Sequence, residues 1–280
     1  LASSRAGHFF TMIVTLVVPA TLINGLASFY AFRGLVITSD AEAETFSVSN
    51  DQASASNYAL AAVTYLMLLV AGIILTLAAT RQAWAQSNDE AEPWSDSVRA
   101  AFGRLGRAVG NLLVVGAVLF GLYLVLVISV AVSPALLLIT FPVWLVAVFW
   151  FGARFCLVST AATLAPRGTG CLRTSWDLTA TRVRSLIGRM AVLTLFSVSL
   201  WLLMRIVAAP FVAIAGAPEP VDLDAGADEL RVGELLGDNP ATFAIGQLFG
   251  ALGNGTALVL WAVGLALVYR DLRGPVEPAA

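Results

Sequence analysis

His8, Cys156 and Cys171 are the side chains from which a metal site or a nucleophile would have to be built, and their spacing builds neither. The chain has one His and two Cys, and no CxxC or Cys/His ligand spacing joins them. Reduced thiols are the expectation. General acid–base chemistry needs a titratable group held in a shielded site. The long apolar stretches offer only Arg205, whose guanidinium stays protonated. The P-loop, HExxH and GxSxG patterns do not occur in the sequence. The run Asp222-Leu-Asp224-Ala-Gly226-Ala-Asp228-Glu229 begins like a calcium loop. However, Gly226 takes its fifth place and Gly233 its twelfth, where oxygen ligands are required. It reads as a solvated acidic loop. The expectation is a protein that is not an enzyme and uses no cofactor or metal.

Polar residues inside apolar stretches are the remaining candidates. Arg205 would lie about 22 Å from the inner end of its helix, where it is either a structural anchor, snorkelling outward or meeting an acidic residue of the 217–241 loop, or a candidate ligand or lipid contact. Gln247 and Asn254, seven residues apart, share a helical face, where they either hydrogen-bond to neighbouring helices within the bundle or line a substrate path or self-association face. Gly246 and Gly250 form a GxxxG pattern with Gly253 following, which suits close helix packing or self-association. Asn24 and Asn111 are expected to hydrogen-bond to neighbouring helices. Pro19, Pro142 and Pro210 are expected to kink or end theirs.

The elements that must hold these residues are set by the lack of polar surface. Hydrophobic residues make up 59% of the 280 and charged residues 12%, about half the usual share for a soluble domain. Mean hydropathy is +0.85. So little polar surface cannot cover a soluble core, so the expected solvent is a bilayer. A spanning helix needs about 20 mostly apolar residues. Six stretches qualify: 9–32, 58–80, 108–132, 134–155, 190–216 and 242–269. The first is too long for a signal-peptide core and is read as a retained anchor. Because the chain starts at Leu1 rather than Met, further N-terminal residues are expected ahead of it.

The sixteen basic residues are all Arg, a bias expected of a GC-rich genome. Thirteen of them flank one set of helix ends. By the positive-inside rule that side is cytoplasmic, which places both termini there and the protein in the plasma membrane. The opposite loops, 33–57 and 217–241, are acidic, and the first is rich in Ser, Ala and Asn and expected to be flexible.

Two segments on the Arg side read as amphipathic interfacial helices. Trp94, Val98, Phe102 and Leu105 recur at three- and four-residue spacing among Arg99, Arg104 and Arg107. Leu172, Trp176, Val183, Leu186 and Ile187 lie close to one face, with Arg173, Arg182, Arg184 and Arg189 as polar partners. Such helices suit the headgroup layer, where Arg meets anionic lipid phosphates. Membrane lipids are therefore the expected partners, with partner subunits or self-association through the Gly-rich helix, and no nucleic acid.

The pieces repeat. Residues 1–80, 94–158 and 170–270 each run from a basic segment into an outward and a returning helix, with Arg5, Arg107 and Arg189 at matching points. The fold expected is all-α: one integral membrane domain of six transmembrane helices with amphipathic interfacial helices, arranged as three parallel hairpins. The sequence carries a resemblance in Arg154-Phe155, Leu164-Ala165-Pro166, Ser175-Trp176-Asp177-Leu178-Thr179, Leu186-Ile187-Gly188-Arg189 and the end Arg270-Asp271-Leu272-Arg273. Over its last 125 or so residues the chain resembles the membrane domain attached to some glycerophosphoryl diester phosphodiesterases and common as stand-alone proteins in actinobacteria. In that family the hydrolase is a separate soluble domain. The resemblance therefore implies a non-catalytic membrane module: a scaffold, complex subunit or lipid-organising protein. The alternative is a transporter or lipid-flux protein with a cavity between hairpins lined by Arg205, Gln247 and Asn254.

Overall fold

The computed structural model describes residues 2–40, 45–50, 54–133, 136–166, 168–180, 182–214, 229–231 and 240–273. Pro134, Arg167 and the acidic run Asp222 to Asp228 lie outside the described residues. Helices dominate: α1 (Ala2–Met12), a π segment (Ile13–Val17), α2 (Val18–Phe32), α3 (Ala55–Ser87), α4 (Trp94–Phe102), α5 (Leu105–Val132), α6 (Leu137–Phe155), α7 (Val158–Leu164), α8 (Cys171–Thr179), α9 (Val183–Ile214) and α10 (Pro240–Arg273). Six runs are long and apolar enough to cross a membrane: Ala6–Phe32, Ala55–Ser87, Leu105–Val132, Leu138–Leu164, Val183–Val212 and Thr242–Arg273. The protein is thus an all-α polytopic membrane protein.

The helices differ in how they treat apolar side chains. In the most apolar window of α5 none of the residues is buried, and in α10 44% are. Leu113, Val125, Ile128 and Val132 of α5 all face outward, an apolar surface that suits a hydrocarbon solvent. Pro19 sits in the first turn of α2, just after the π segment. A proline has no N–H to return to the preceding turn, and widened π turns relieve such breaks. Pro142 and Pro210 lie inside α6 and α9, so of the two expectations, a kink or an end, neither proline ends its helix.

The chain groups into two compact units. One comprises Leu1–Phe9, Ile73–Ser197 and Leu258–Ala280, the other Phe10–Gly72 and Val198–Ala257. The second unit carries a feature that composition hid. Residues 33–57, expected to be a flexible loop, contain strands β1 (Leu35–Asp40) and β2 (Thr45–Asn50). They pair antiparallel with Leu35 opposite Asn50, and β3 (Glu229–Arg231) pairs on the other edge of β1 with Val36 opposite Arg231. The β-branched and aromatic residues Val36, Ile37, Thr38, Phe46 and Val48 favour this pleated form. Asn50 Nδ2 anchors the sheet by donating to the Ala31 carbonyl at 2.9 Å and to Tyr58 Oη at 2.6 Å.

In the first unit, α4 leads into α5 and α8 into α9 with one register. Ser97, Ala101 and Ala108 are buried, and so are Ser175, Thr179 and Leu186 at the same spacing. Leu105 and Val183 open the two long helices. This alignment pairs Arg104 with Arg182 and sets Arg107 and Arg189 one helical turn out of step. The buried line of α4 runs through Ser97 and Ala101, and Phe102 of the expected apolar stripe is 55% exposed. Val183, Leu186 and Ile187 belong to the first turns of α9, so α8, which ends at Thr179, covers only the first part of the second segment expected to be amphipathic.

Candidate functional site

The richest polar constellation lies where α4 meets the end of α3. Gln82, 1% exposed on α3, is the hub. Its Nε2 is 3.2 Å from His8 Nδ1 and donates to the Glu92 carbonyl at 3.1 Å. Its Oε1 accepts from Ser97 Oγ at 2.9 Å, and the same hydroxyl lies 3.1 Å from Glu92 Oε1. Glu92 Oε1 also accepts from Arg81 Nε at 2.6 Å. A buried amide is costly unless its donors and acceptors are met, so this network fixes α4 on α3. Gln82 and Glu92 belong to no motif of the sequence, and His8, which has no Cys partner in metal-ligand spacing, takes its place here beside an amide. The available signal was a Gln beside Arg81 at the end of an apolar stretch.

The network presents a cleft of about 620 Å³ lined by Arg81, Asp96, Arg99, Ala100, Gly103 and Arg104. Arg81 already leans on Glu92. Arg104 Nη1 donates to the carbonyls of Ala162, Thr163 and Ala165, where it caps the C-terminal end of α7 with a positive charge that suits the helix dipole. Arg107 continues the clamp onto Ala165, Pro166 and Thr169. Arg99 and Asp96 are exposed at the rim. The Arg99 guanidinium has no hydrogen-bond or ion-pair partner among the described residues, so its donors are open to a ligand.

Around α8 the other headgroup candidates have diverse settings. Arg154 lies over the Trp150 and Trp176 rings, 5.2 and 4.7 Å from their centroids, and the two indoles meet edge to face at 5.3 Å. Arg154 Nη1 donates to the Trp176 carbonyl at 3.2 Å, and Ser175 Oγ donates to the Arg154 carbonyl at 2.6 Å. Trp176 is therefore a packing residue of this stack. Arg173 pairs loosely with Asp177 at 3.7 Å, both largely exposed. Arg182 and Arg184 are exposed, and Trp94 is half-buried. Arg189 makes an ion pair with Asp271 at 3.1 Å.

In the second unit, Arg205 and Gln247 turn to different neighbours. Arg205 stacks on Trp201, 5.1 Å from the ring centroid, and its Nη2 would be 3.9 Å from a Cβ at Gly250. Gln247 presses on Gly25, where a Cβ would come within 2.7 Å of Gln247 Cγ. Asn254 is exposed. Of the packing glycines, Gly253 accepts Met204 and Trp201 closely, whereas Gly246 faces open space. Asn24 meets its expected neighbour, since Thr64 Oγ1 lies 3.3 Å from Asn24 Oδ1. Asn111 instead donates within its own helix, to the Arg107 carbonyl at 2.6 Å. Comparison with protein-family models, curated proteins and solved structures found no match.

Proposed function

We propose that this protein is a non-catalytic membrane module that gathers anionic phospholipid headgroups on its Arg-rich face. In this reading it is a multi-pass protein of the plasma membrane with both termini cytoplasmic, and that face meets the inner leaflet. The carrying observation is the cleft in which the Arg99 guanidinium, without a partner among the described residues, stands beside Arg81 and Arg104. Guanidinium groups are weakly hydrated and match phosphate oxygens in pairs. The rigid Gln82–Ser97 network beneath them reduces the ordering cost of binding. The Arg excess on one side supports the orientation. The likeness of residues 154–189 to a membrane domain carried by glycerophosphodiester hydrolases fits a lipid-facing role without assigning the hydrolysis.

The test is native mass spectrometry of the protein released from nanodiscs of mixed phosphatidylglycerol and phosphatidylcholine. Phosphatidylglycerol should be enriched among retained lipids, and Arg99→Ala should reduce that enrichment several-fold while leaving the melting temperature unchanged. Equal retention of both lipids by the unaltered protein would overturn the reading. Lipid scrambling in proteoliposomes would favour the flux alternative. For orientation, Asn88→Cys in the exposed α3–α4 connection should react with an impermeant maleimide only in inverted vesicles.

A further inference from the structure

A second site lies away from that cleft, along α9 and α10 within the first unit. Ser185, Gly188, Arg189 and Val192 follow the i, i+3, i+4, i+7 spacing that gathers residues on one helix face. On α10, Gly264, Val268 and Asp271 do the same. Together with Leu193 the first four and Gly264 and Val268 border a groove of about 520 Å³. The helices touch at one end: a Cβ at Gly264 would fall 2.7 Å from Leu193 Cδ1 and Cδ2. Beyond this contact the walls part, because Gly188 has no atom within 4 Å of where its Cβ would stand. Val192 is 67% exposed. The polar end is marked by the Arg189–Asp271 pair at 3.1 Å, each side chain 48% exposed.

Both helices belong to candidate membrane spans, so the medium that reaches the groove is hydrocarbon, and an apolar furrow there is filled by an acyl chain. From Ser185 to Val192 it runs about 10 Å, the reach of the upper part of one chain. The polar end then selects the headgroup. Arg189 spends one of its donors on Asp271 and keeps the rest of its fork free. Asp271 offers an acceptor to a cation. Ser185 Oγ donates to the Arg182 carbonyl at 3.0 Å and so adds no free donor. A phosphate alone would be repelled by Asp271, whereas a headgroup carrying both a phosphate and an ammonium satisfies both residues.

We infer that this groove binds one aminophospholipid of the phosphatidylethanolamine type, its acyl chain along Gly188, Val192 and Val268, its phosphate on Arg189 and its ammonium on Asp271. The site differs in position and headgroup from the Arg99 cleft. Nanodiscs of equal phosphatidylethanolamine, phosphatidylglycerol and phosphatidylcholine, followed by native mass spectrometry, provide the test. The unaltered protein should retain one phosphatidylethanolamine after the bulk lipids are stripped. Gly188→Leu, which fills an open surface position and favours helix, should lose that lipid with an unchanged melting temperature. Asp271→Asn should abolish the preference for phosphatidylethanolamine over phosphatidylcholine, and Arg99→Ala should leave it intact. Retention of phosphatidylethanolamine by Gly188→Leu, or the lack of a retained phosphatidylethanolamine on the unaltered protein and on Arg99→Ala alike, overturns the assignment, whereas phosphatidylglycerol held at the Arg99 cleft does not bear on it. Loss of enrichment through Arg99→Ala alone bears only on the first cleft.

Discussion

Helices α4 and α8 are two answers to the same packing problem. Each is nine residues long, each buries a Ser with a small residue four positions on, and each leads into a long apolar helix in the same register. Their anchors differ in kind. Ser97 of α4 reaches the side chain of Gln82 within a network of amide, carboxylate and imidazole groups. Ser175 of α8 reaches the backbone carbonyl of Arg154, and α8 is held beside it by the Trp150–Arg154–Trp176 stack. A shared pattern of small buried residues sets the docking line. The surrounding chemistry makes α4 the wall of a polar cleft and α8 an aromatic buttress.

The difference predicts an order of sensitivity. Trp176→Ala should be the most damaging change, because it removes a large packed side chain and exposes the Arg154 cation. A loss of about 3 kcal/mol is expected, read as a lower melting temperature in detergent. Trp176→Phe should cost less, about 1 kcal/mol, by weakening the cation–π contact. For α4 the largest effect should come from Gln82→Leu. That change leaves the Glu92 carbonyl without its Gln82 donor and Ser97 Oγ with Glu92 Oε1 as its one remaining acceptor in the network, and should cost about 2 kcal/mol. Limited proteolysis should then cut near residues 88–93 well before the α7–α8 link. Ser97→Ala and Ser175→Ala should each cost about 1 kcal/mol. Ser97→Ala should add little once Gln82→Leu is present, whereas Ser175→Ala and Gln82→Leu should be additive. Arg173→Ala should be silent in the same melts, since its pair with Asp177 is exposed and worth under about 0.5 kcal/mol.

The legibility of these features in the sequence varies for physical reasons. The six spans could be read directly, because hydrocarbon imposes a length and a composition on any helix that crosses it. The small sheet was overlooked in residues 33–57 because Ser, Ala and Asn between short β-branched runs read as a loop. Its pairing with Glu229–Arg231 depends on residues almost two hundred positions away. Arg104 and Arg107 were visible as a basic cluster but not as caps, since their acceptors are carbonyls of residues 162–169. Gln82 and Glu92 carried no periodic signal at all.

Sequence alone determined that this chain is a set of apolar helices and that thirteen of its sixteen Arg flank one set of expected helix ends. Both properties depend on composition and on spacing along the chain. Tertiary structure decided which guanidinium groups are spent on the protein and which stay open, as Arg104 and Arg154 differ from Arg99. The reason is that a charge is satisfied by whatever donor, acceptor or ring the fold brings within a few ångströms, and those neighbours come from distant parts of the chain.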